Sequence, residues 1–218
     1  MIAIPSIIPH IDVTHLRRAL PTTPAAWLES GQRIAFDCAG VAFEQFRAAD
    51  TRALYDIRNH PTVLPFMPSP EPLPYDRHLA WVETRLLAPG PDSPLVVIGR
   101  AGGVPAAFAL LKPAPQDGAL EIGVMVAGPW QRGTLAPRVG GAMFAIAARL
   151  FGAHTIVSHV HPGNKQALLL NEGCGLLPTG ESQKPGEIMF RAPLADLLAP
   201  PAYRRWIERA RLRVLAPD

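Results

Sequence analysis

The stretch from Gly123 to Pro137, Gly-Val-Met-Val-Ala-Gly-Pro-Trp-Gln-Arg-Gly-Thr-Leu-Ala-Pro, carries the clearest chemical signal in the chain. An apolar run ends at Gly128-Pro129, a short polar loop spans Gln131 to Thr134, and an apolar-periodic helix follows. That order sets several loop N–H groups beside a helix N-terminus, where unsatisfied donors and the helix dipole both favour an anionic diphosphate. A second segment, His161-Pro-Gly-Asn164-Lys-Gln-Ala167, follows the next strand and opens another helix, with Asn164 suited to its N-cap. Other reactive residue types have weaker settings. His159 and His161 lie on one face of a strand end with no third ligand evident, so no metal is expected. Cys174 ends an apolar helix, as a small buried hydrophobe would, and Ser158 lacks a nucleophile-elbow context. Gly102-Gly103 and Gly140-Gly141 read as turn and helix-packing glycines, which disfavours a dinucleotide-binding dehydrogenase fold.

The elements that must position this loop follow from periodicity. A short helix is expected from Pro24 to Glu29. Arg33–Cys38 and 41–47 alternate around Ala39-Gly40 as a hairpin. Asp50 and Thr51 can cap a helix running to about His60, ended by Pro61. Six prolines in 61–74 demand an extended, semi-rigid loop. Tyr75, Leu79, Val82 and Leu86 mark a second amphipathic helix. Segments 94–100 and 104–112 form another hairpin around Ala101–Gly103. Leu120–Ala127 is apolar on both faces, as at a sheet centre. Leu135, Val139, Met143, Ile146 and Leu150 line a long helix, with Pro137 in its first turn. Thr155–Val160 is a further buried strand, Asn164–Gly173 a short helix closed by Gly173 and Gly175, and 176–179 and 187–192 are closing strands. The sum is a mixed α/β sheet with helices on both faces.

Length and composition bound the rest. At 218 residues, 48% hydrophobic and 18% charged, the chain suits one core with appendages. The expected division is an N-terminal extension (1–32), a central domain (33–192) and a C-terminal helical extension (193–218). No apolar run approaches the ~20 residues needed to span a bilayer. The proline-rich N-terminus lacks a basic start, and the two cysteines, Cys38 and Cys174, make no disulfide framework; both suit a cytoplasmic protein without a membrane partner. A net charge of +3 gives no nucleic-acid footprint for the whole chain, although Arg204, Arg205, Arg209, Arg211 and Arg213 crowd its end. There Tyr203, Ile207, Ala210 and Val214 recur at helical spacing and would dock on the core or on a second subunit of a homodimer.

Strand, phosphate loop, helix, strand and Asn-containing helix, in that order, resemble the GCN5-related N-acetyltransferase (GNAT) superfamily over roughly residues 33–192. The resemblance implies a splayed central sheet and acetyl-CoA as acyl donor, without a metal. The family's Gln/Arg-x-x-Gly-x-Gly/Ala pattern falls on Gln131, Arg132, Gly133, Thr134, Leu135 and Ala136, whose amides would hold the pyrophosphate. Thr134 replaces the central glycine, and because a β-branched residue resists positive φ, the loop must keep ordinary dihedrals there. By position, backbone groups of Val124, Met125 and Val126 would pair with the pantetheine arm in the manner of an added strand. Asn164 would contact the pantetheine amide, and Ala167 would keep the helix surface low beside it. Glu121 occupies the strand position where many relatives place a carboxylate. As the catalytic base it would deprotonate the acceptor amine, its pKa raised by desolvation. The tyrosine that often protonates the departing thiolate is replaced by Asn171.

The resemblance places the acceptor under the first two helices and their loop, here 58–67 and 78–81. Their phrasing is similar to branches that acetylate nucleotide-linked amino sugars, and also to those acting on protein N-termini and small amines. Arg58 and Asn59 would bind sugar hydroxyls or a diphosphate, while His78 or Trp81 would frame a ring. From a different class, Asn171 in place of tyrosine suits a catalytically silent acyl-CoA-binding module.

Overall fold

The computed structural model describes residues 21–88, 90–115, 118–180, 182, 184–199 and 212–215. Among the described residues its centre is a single mixed sheet of nine strands, in the spatial order β7 (Leu177–Pro178), β8 (Ile188–Pro193), β6 (Thr155–Val160), β5 (Ala119–Val126), β4 (Val104–Pro113), β3 (Leu95–Ala101), β2 (Val41–Gln45), β1 (Arg33–Cys38) and β9 (Arg213–Leu215). The first five strands lie side by side in chain order as a hairpin and a three-strand meander separated by a helical segment, and the hairpin turns are dictated locally. β1 (Arg33–Cys38) and β2 (Val41–Gln45) are joined by Ala39 and Gly40, both at positive φ, the geometry of a two-residue hairpin turn whose twist matches that of the strands. β3 (Leu95–Ala101) and β4 (Val104–Pro113) repeat this around Gly102 and Gly103. β5 (Ala119–Val126) closes the meander against β4.

Helices cover both faces and divide the core in two. On one face lies α4 (Leu135–Phe151), apolar almost all round and therefore buried along most of its length, with α1 (Pro24–Glu29) and α6 (Leu194–Leu198) on the same side. Trp27 of α1 sets its ring edge-on to Phe151 and donates from Nε1 to Gln45 Oε1 at 2.8 Å, which satisfies a buried indole. On the other face α2 (Thr51–Arg58) and α3 (Tyr75–Val82) enclose Leu54, Ile57, Val82, Leu86, Ile98 and Phe108. After α4 come β6 (Thr155–Val160), α5 (Lys165–Cys174), β7 (Leu177–Pro178) and β8 (Ile188–Pro193). Gly175, at φ 92°, caps α5, while Gly173 stays inside the helix.

Two readings of periodicity are corrected. The buried stripe of α3 is His78, Val82 and Leu86, whereas Tyr75 and Leu79 are exposed. His78 holds a core position because its Nε2 meets the Thr51 carbonyl at 3.2 Å, and a single π-turn, Glu83–Leu87, extends the helix and carries Leu86 inward. Val214 belongs to a strand, β9 (Arg213–Leu215), paired antiparallel with β1. Leu212 and Val214 are buried while Arg213 is exposed, an alternation of period two. Tyr203, Ile207, Ala210 and the arginines at 204, 205, 209 and 211 lie outside the described residues, as do residues 1–20 of the expected N-terminal extension.

Candidate acyl-CoA site

β5 and β6 are parallel neighbours only at their starts, through Ala119↔Thr155, Leu120↔Ile156 and Glu121↔Val157. Beyond Glu121, β5 runs on to Val126 along β4, and β6 runs on to Val160 along β8. The sheet is therefore forked, with Glu121 at the apex. Main-chain direction alternates along a strand. Ala119 O accepts from Ala114 N, and Ala127 N donates to Ala106 O, so odd-numbered residues of β5 address β4. Val124 and Val126 accordingly turn their main-chain groups into the fork, whereas those of Met125 turn to β4. Of the three backbone groups expected to face an extended ligand, Met125 is the exception, and its side chain packs in the α2-side core instead.

The fork opens at the phosphate loop. A single 3-10 turn, Gly128–Gln131, leads to α4, and Thr134 stands at its N-cap with φ −100° and ψ 9°. Thr134 thus keeps the ordinary dihedrals its β-branched side chain requires. Its hydroxyl makes no capping bond, and the first helical bond is Arg138 N to Thr134 O. Among the described residues, the N–H groups of Arg132, Gly133, Thr134, Leu135 and Ala136 have no backbone acceptor. Arg132, Gly133 and Thr134 are exposed. Free donors at a helix start, with a guanidinium beside them, form an anion site. The chemistry of this donor set fits a pyrophosphate.

Gln131 ties the other side of the mouth. Its Nε2 donates to Val126 O at 2.8 Å and to Thr62 O at 3.3 Å, binding the 61–67 cover loop to the end of β5. Across the fork, Asn164 Oδ1 accepts from Ala167 N at 3.1 Å and caps α5. Its amide group is left for another partner. Pro61, Thr62, Pro65 and Phe66 of the cover loop, Gln131, and Gly163 to Gln166 enclose a cleft of about 360 Å³ between the strand ends. Gln131, Asn164 and the 58–67 cover were expected from the sequence and its resemblance; that Thr62 and Phe66 of that cover, and Gln166 of α5, line the cleft was not, because nothing local says which residues of a cover or helix face a distant strand.

Glu121, 13% exposed, sits among cations. Lys184 Nζ donates to Oε1 at 2.5 Å, Lys112 Nζ lies 3.1 Å from Oε2, and His159 Nδ1 lies 3.5 Å from Oε2. Burial alone would raise the carboxyl pKa, but the two ammonium groups outweigh it and hold it below the usual glutamate value. The expected upward shift is therefore reversed. Lys112 is the cross-strand partner of Glu121, and Lys184 arrives from the turn between β7 and β8, a reach that no sequence pattern announced.

The expected acceptor residues divide. Arg58 donates to Asn59 Oδ1 at 2.8 Å and to Ser69 O at 3.4 Å, and Asn59 Oδ1 also accepts from Leu73 N at 3.2 Å. They staple the proline-rich loop. His78 is fully buried between Tyr55, Tyr75 and Trp81, and burial lowers its pKa. Trp81 is 40% exposed, so of the two rings only Trp81 is available to a ligand, and core packing belongs to His78. None of these four residues lines the cleft. Asn171 is buried on α5, facing β6.

A family model described as an acetyltransferase (GNAT) domain matches residues 41–176. The chain belongs to this family. Solved GNAT-fold structures repeat the architecture at low identity. The protein yncA of Salmonella typhimurium, solved with its cofactor acetyl-CoA, superposes with a TM-score of 0.55 at 21% identity, over 72% of this chain and 95% of that one. A GNAT-family acetyltransferase from Bacillus anthracis gives 0.60 at 12% identity, over 73% and 98%. The ribosomal-protein-alanine N-acetyltransferase of Brucella melitensis gives 0.54 at 20%, over 69% and 98%. No curated protein matches the chain in sequence. Among the described residues of this GNAT chain, no helix is long and apolar enough to cross a membrane.

Proposed function

We propose that this GNAT protein is an N-acyltransferase that moves an acetyl group from acetyl-CoA directly to a primary amine. The observation that supports it most is the forked sheet with uncommitted amides from Arg132 to Ala136 at its mouth. In this reading those amides and Arg132 bind the pyrophosphate, and Val124 and Val126 pair with the pantetheine arm. Asn164 offers its amide group to the same arm, and Ala167 leaves room beside it. Holding thioester and amine together supplies most of the advantage through orientation, and main-chain N–H groups in the fork steady the oxyanion. The amine attacks the thioester carbon, the C–N bond forms, and the C–S bond breaks to release the thiolate. With asparagine at position 171, the thiolate takes its proton from the nitrogen or from solvent.

An acceptor with one cationic amine fits best, since Glu121 offers an ionised carboxylate at the apex. A nucleotide-linked amino sugar remains one candidate, with Trp81 available for its ring. A protein N-terminus or small amine is favoured by the internal pairing of Arg58 and Asn59, which leaves no fork there for a diphosphate. The Brucella neighbour, named for a ribosomal protein's alanine, belongs to that second class. A silent acyl-CoA-binding module is the reading from a different class, and Asn171 is the feature that speaks for it.

Thermal unfolding with CoA, acetyl-CoA, NAD and no ligand tests the binding part. A specific binder raises the midpoint by mass action, so both coenzymes should shift it and NAD should not. No shift with either coenzyme overturns the reading. A shift with no thiol release across a panel of peptide, polyamine and amino-sugar acceptors leaves the silent module standing instead.

A further inference from the structure

The His159 side chain is 8% exposed, yet neither ring nitrogen makes a well-formed hydrogen bond among the described residues, the polar contact there being the 3.5 Å approach of Nδ1 to Glu121 Oε2. Buried imidazoles are normally anchored through at least one nitrogen, because an unsatisfied buried donor or acceptor is costly, and this ring has only that one long contact. His159 lies on β6 two residues past Val157, the last residue paired with β5, and so stands on the wall of the fork. Val157 pairs with Glu121, and side chains two apart share a face, so His159 and Glu121 project to the same side of the sheet. That side is the one covered by α2 and α3, because Met125, four residues beyond Glu121, packs in their core. A carboxylate and a loosely held imidazole thus lie side by side at the apex, with the ring and Lys112 Nζ beside Oε2, and a primary ammonium, Lys184 Nζ, on Oε1, close enough to depress the His159 pKa.

We infer that an acceptor ammonium takes the place of Lys184 against Glu121 and passes its proton to His159, which is the catalytic base of the reaction. The inference rests on the acyl-CoA reading above and reassigns the base within it. Glu121 is an anchor, since Lys112 and Lys184 keep it ionised and a poor proton acceptor. His159 is held neutral at physiological pH: burial and Lys184 depress its pKa, and Glu121 and Glu187 offset them only in part. The groups facing it are Glu121 and Lys112 from the β5–β4 side and Lys184 and Glu187 from the β7–β8 turn. The step balances as follows. The ammonium gives one proton to His159, which returns it to solvent. The amine then attacks, the C–N bond forms as the C–S bond breaks, and the second nitrogen proton leaves with the thiolate.

The experiment combines coenzyme binding with His159→Gln and Glu121→Gln. Both variants should keep the wild-type melting shift with CoA. On whichever panel amine releases thiol from acetyl-CoA, His159→Gln should lower kcat/KM by about 10²–10⁴-fold near neutrality, the usual share of a positioned base. Its residual rate should climb with pH as free amine accumulates, while the wild-type rate levels off above the lowered His159 pKa. Glu121→Gln should act mainly through KM for the amine. Wild-type-like kinetics and pH profile in His159→Gln overturn the inference and leave the acyl-CoA reading intact; absence of any CoA shift in wild type overturns both. Ring-labelled histidine NMR decides the matter if no panel amine is turned over. The His159 signal, identified by its loss in His159→Gln, should titrate below 6.5, fall further in Glu121→Gln, and move when acetyl-CoA is added. A signal indifferent to both pH and acetyl-CoA overturns the inference.

Discussion

Asn171 Nδ2 donates to Ser158 Oγ at 3.1 Å, joining α5 to the strand that forms one wall of the fork. Both residues are buried, so the bond is made where water cannot replace it. An amide has no proton to surrender near neutral pH. The position that the resemblance aligns with the family's frequent tyrosine is here a structural tie, and its side chain cannot protonate a thiolate.

Either alanine substitution of this pair leaves a buried polar group unmatched. Asn171→Ala or Ser158→Ala should each lower unfolding stability by about 1–3 kcal/mol, and the double variant should cost clearly less than their sum. Denaturant titrations of the four proteins check it. Full additivity would mean the two side chains act independently.

Arg132 is exposed and holds no partner among the described residues. Arg132→Ala should leave the ligand-free melting temperature unchanged while weakening CoA by about 1.5–3 kcal/mol, the range for a hydrogen bond to a charged group. The loss should shrink as salt rises, because an exposed charge is screened within a Debye length of about 8 Å at physiological ionic strength. Calorimetric titration with CoA at two salt concentrations measures both. Equal losses at low and high salt would remove the electrostatic role.

What the sequence showed and hid follows from range. The strand meander, α4 and α5 announce themselves through period and caps, and the loop from Gln131 to Ala136 through its position between them. The fork itself was legible only by resemblance, since a strand's own residues do not say where its neighbour departs. Lys184 reaches Glu121 across 63 residues of chain, and that contact reversed the expected direction of the Glu121 pKa. His78, expected with Trp81 as a ring-framing residue, went into the core because a polar ring found a backbone carbonyl, something periodicity cannot register. Val214 was read at helical spacing with residues outside the described chain, while its own neighbours alternate as in a strand.

Gly99 is set by packing rather than by dihedral freedom. It faces Phe43 across the β2–β3 pair, and a Cβ there would come within 2.5 Å of the Phe43 ring and 2.8 Å of Val41. Phe43 stacks on Phe36 at 4.8 Å with both rings buried, so neither can yield freely. Gly99→Ala should therefore destabilise by about 1–3 kcal/mol, as overpacking does. Chemical denaturation would register this, and a loss under 0.5 kcal/mol would show the ring layer to be soft.

Burial pushes the Cys38 thiol up to about 12, with Arg138 opposing only in part. A thiol whose pKa rises on folding favours the native state below its ordinary value of 9.0 and loses that advantage as pH climbs above it. Stability should fall more steeply above pH 9 in wild type than in Cys38→Ala. Cys38 should also resist an aromatic disulfide reagent at mild alkaline pH until denaturant is added. Rapid labelling of Cys38 in the native protein would contradict the burial argument.

His78 sets an acid limit by the opposite sign. Its imidazole is fully buried, Nε2 meets the Thr51 carbonyl, and Nδ1 has no partner among the described residues. Burial lowers its pKa below the ordinary 6.5, the Thr51 carbonyl offsets part of this, and Arg58 adds to it. Between the folded and ordinary values the unfolded chain binds more protons, so stability rises with pH there and is flat above. As pH falls below 6.5, wild type should lose stability that a non-titrating side chain keeps. Gln in place of His78 can still donate to Thr51 O, so His78→Gln retains that bond without the titration. The difference between the two proteins, followed by denaturant unfolding from about pH 7.5 down to about pH 5, cancels the contributions of Glu121 and His159. It should narrow steadily in the acid range as wild type loses ground. Parallel curves would mean that His78 is as easily protonated in the folded protein as in the unfolded chain, and that the α3 core admits its charge.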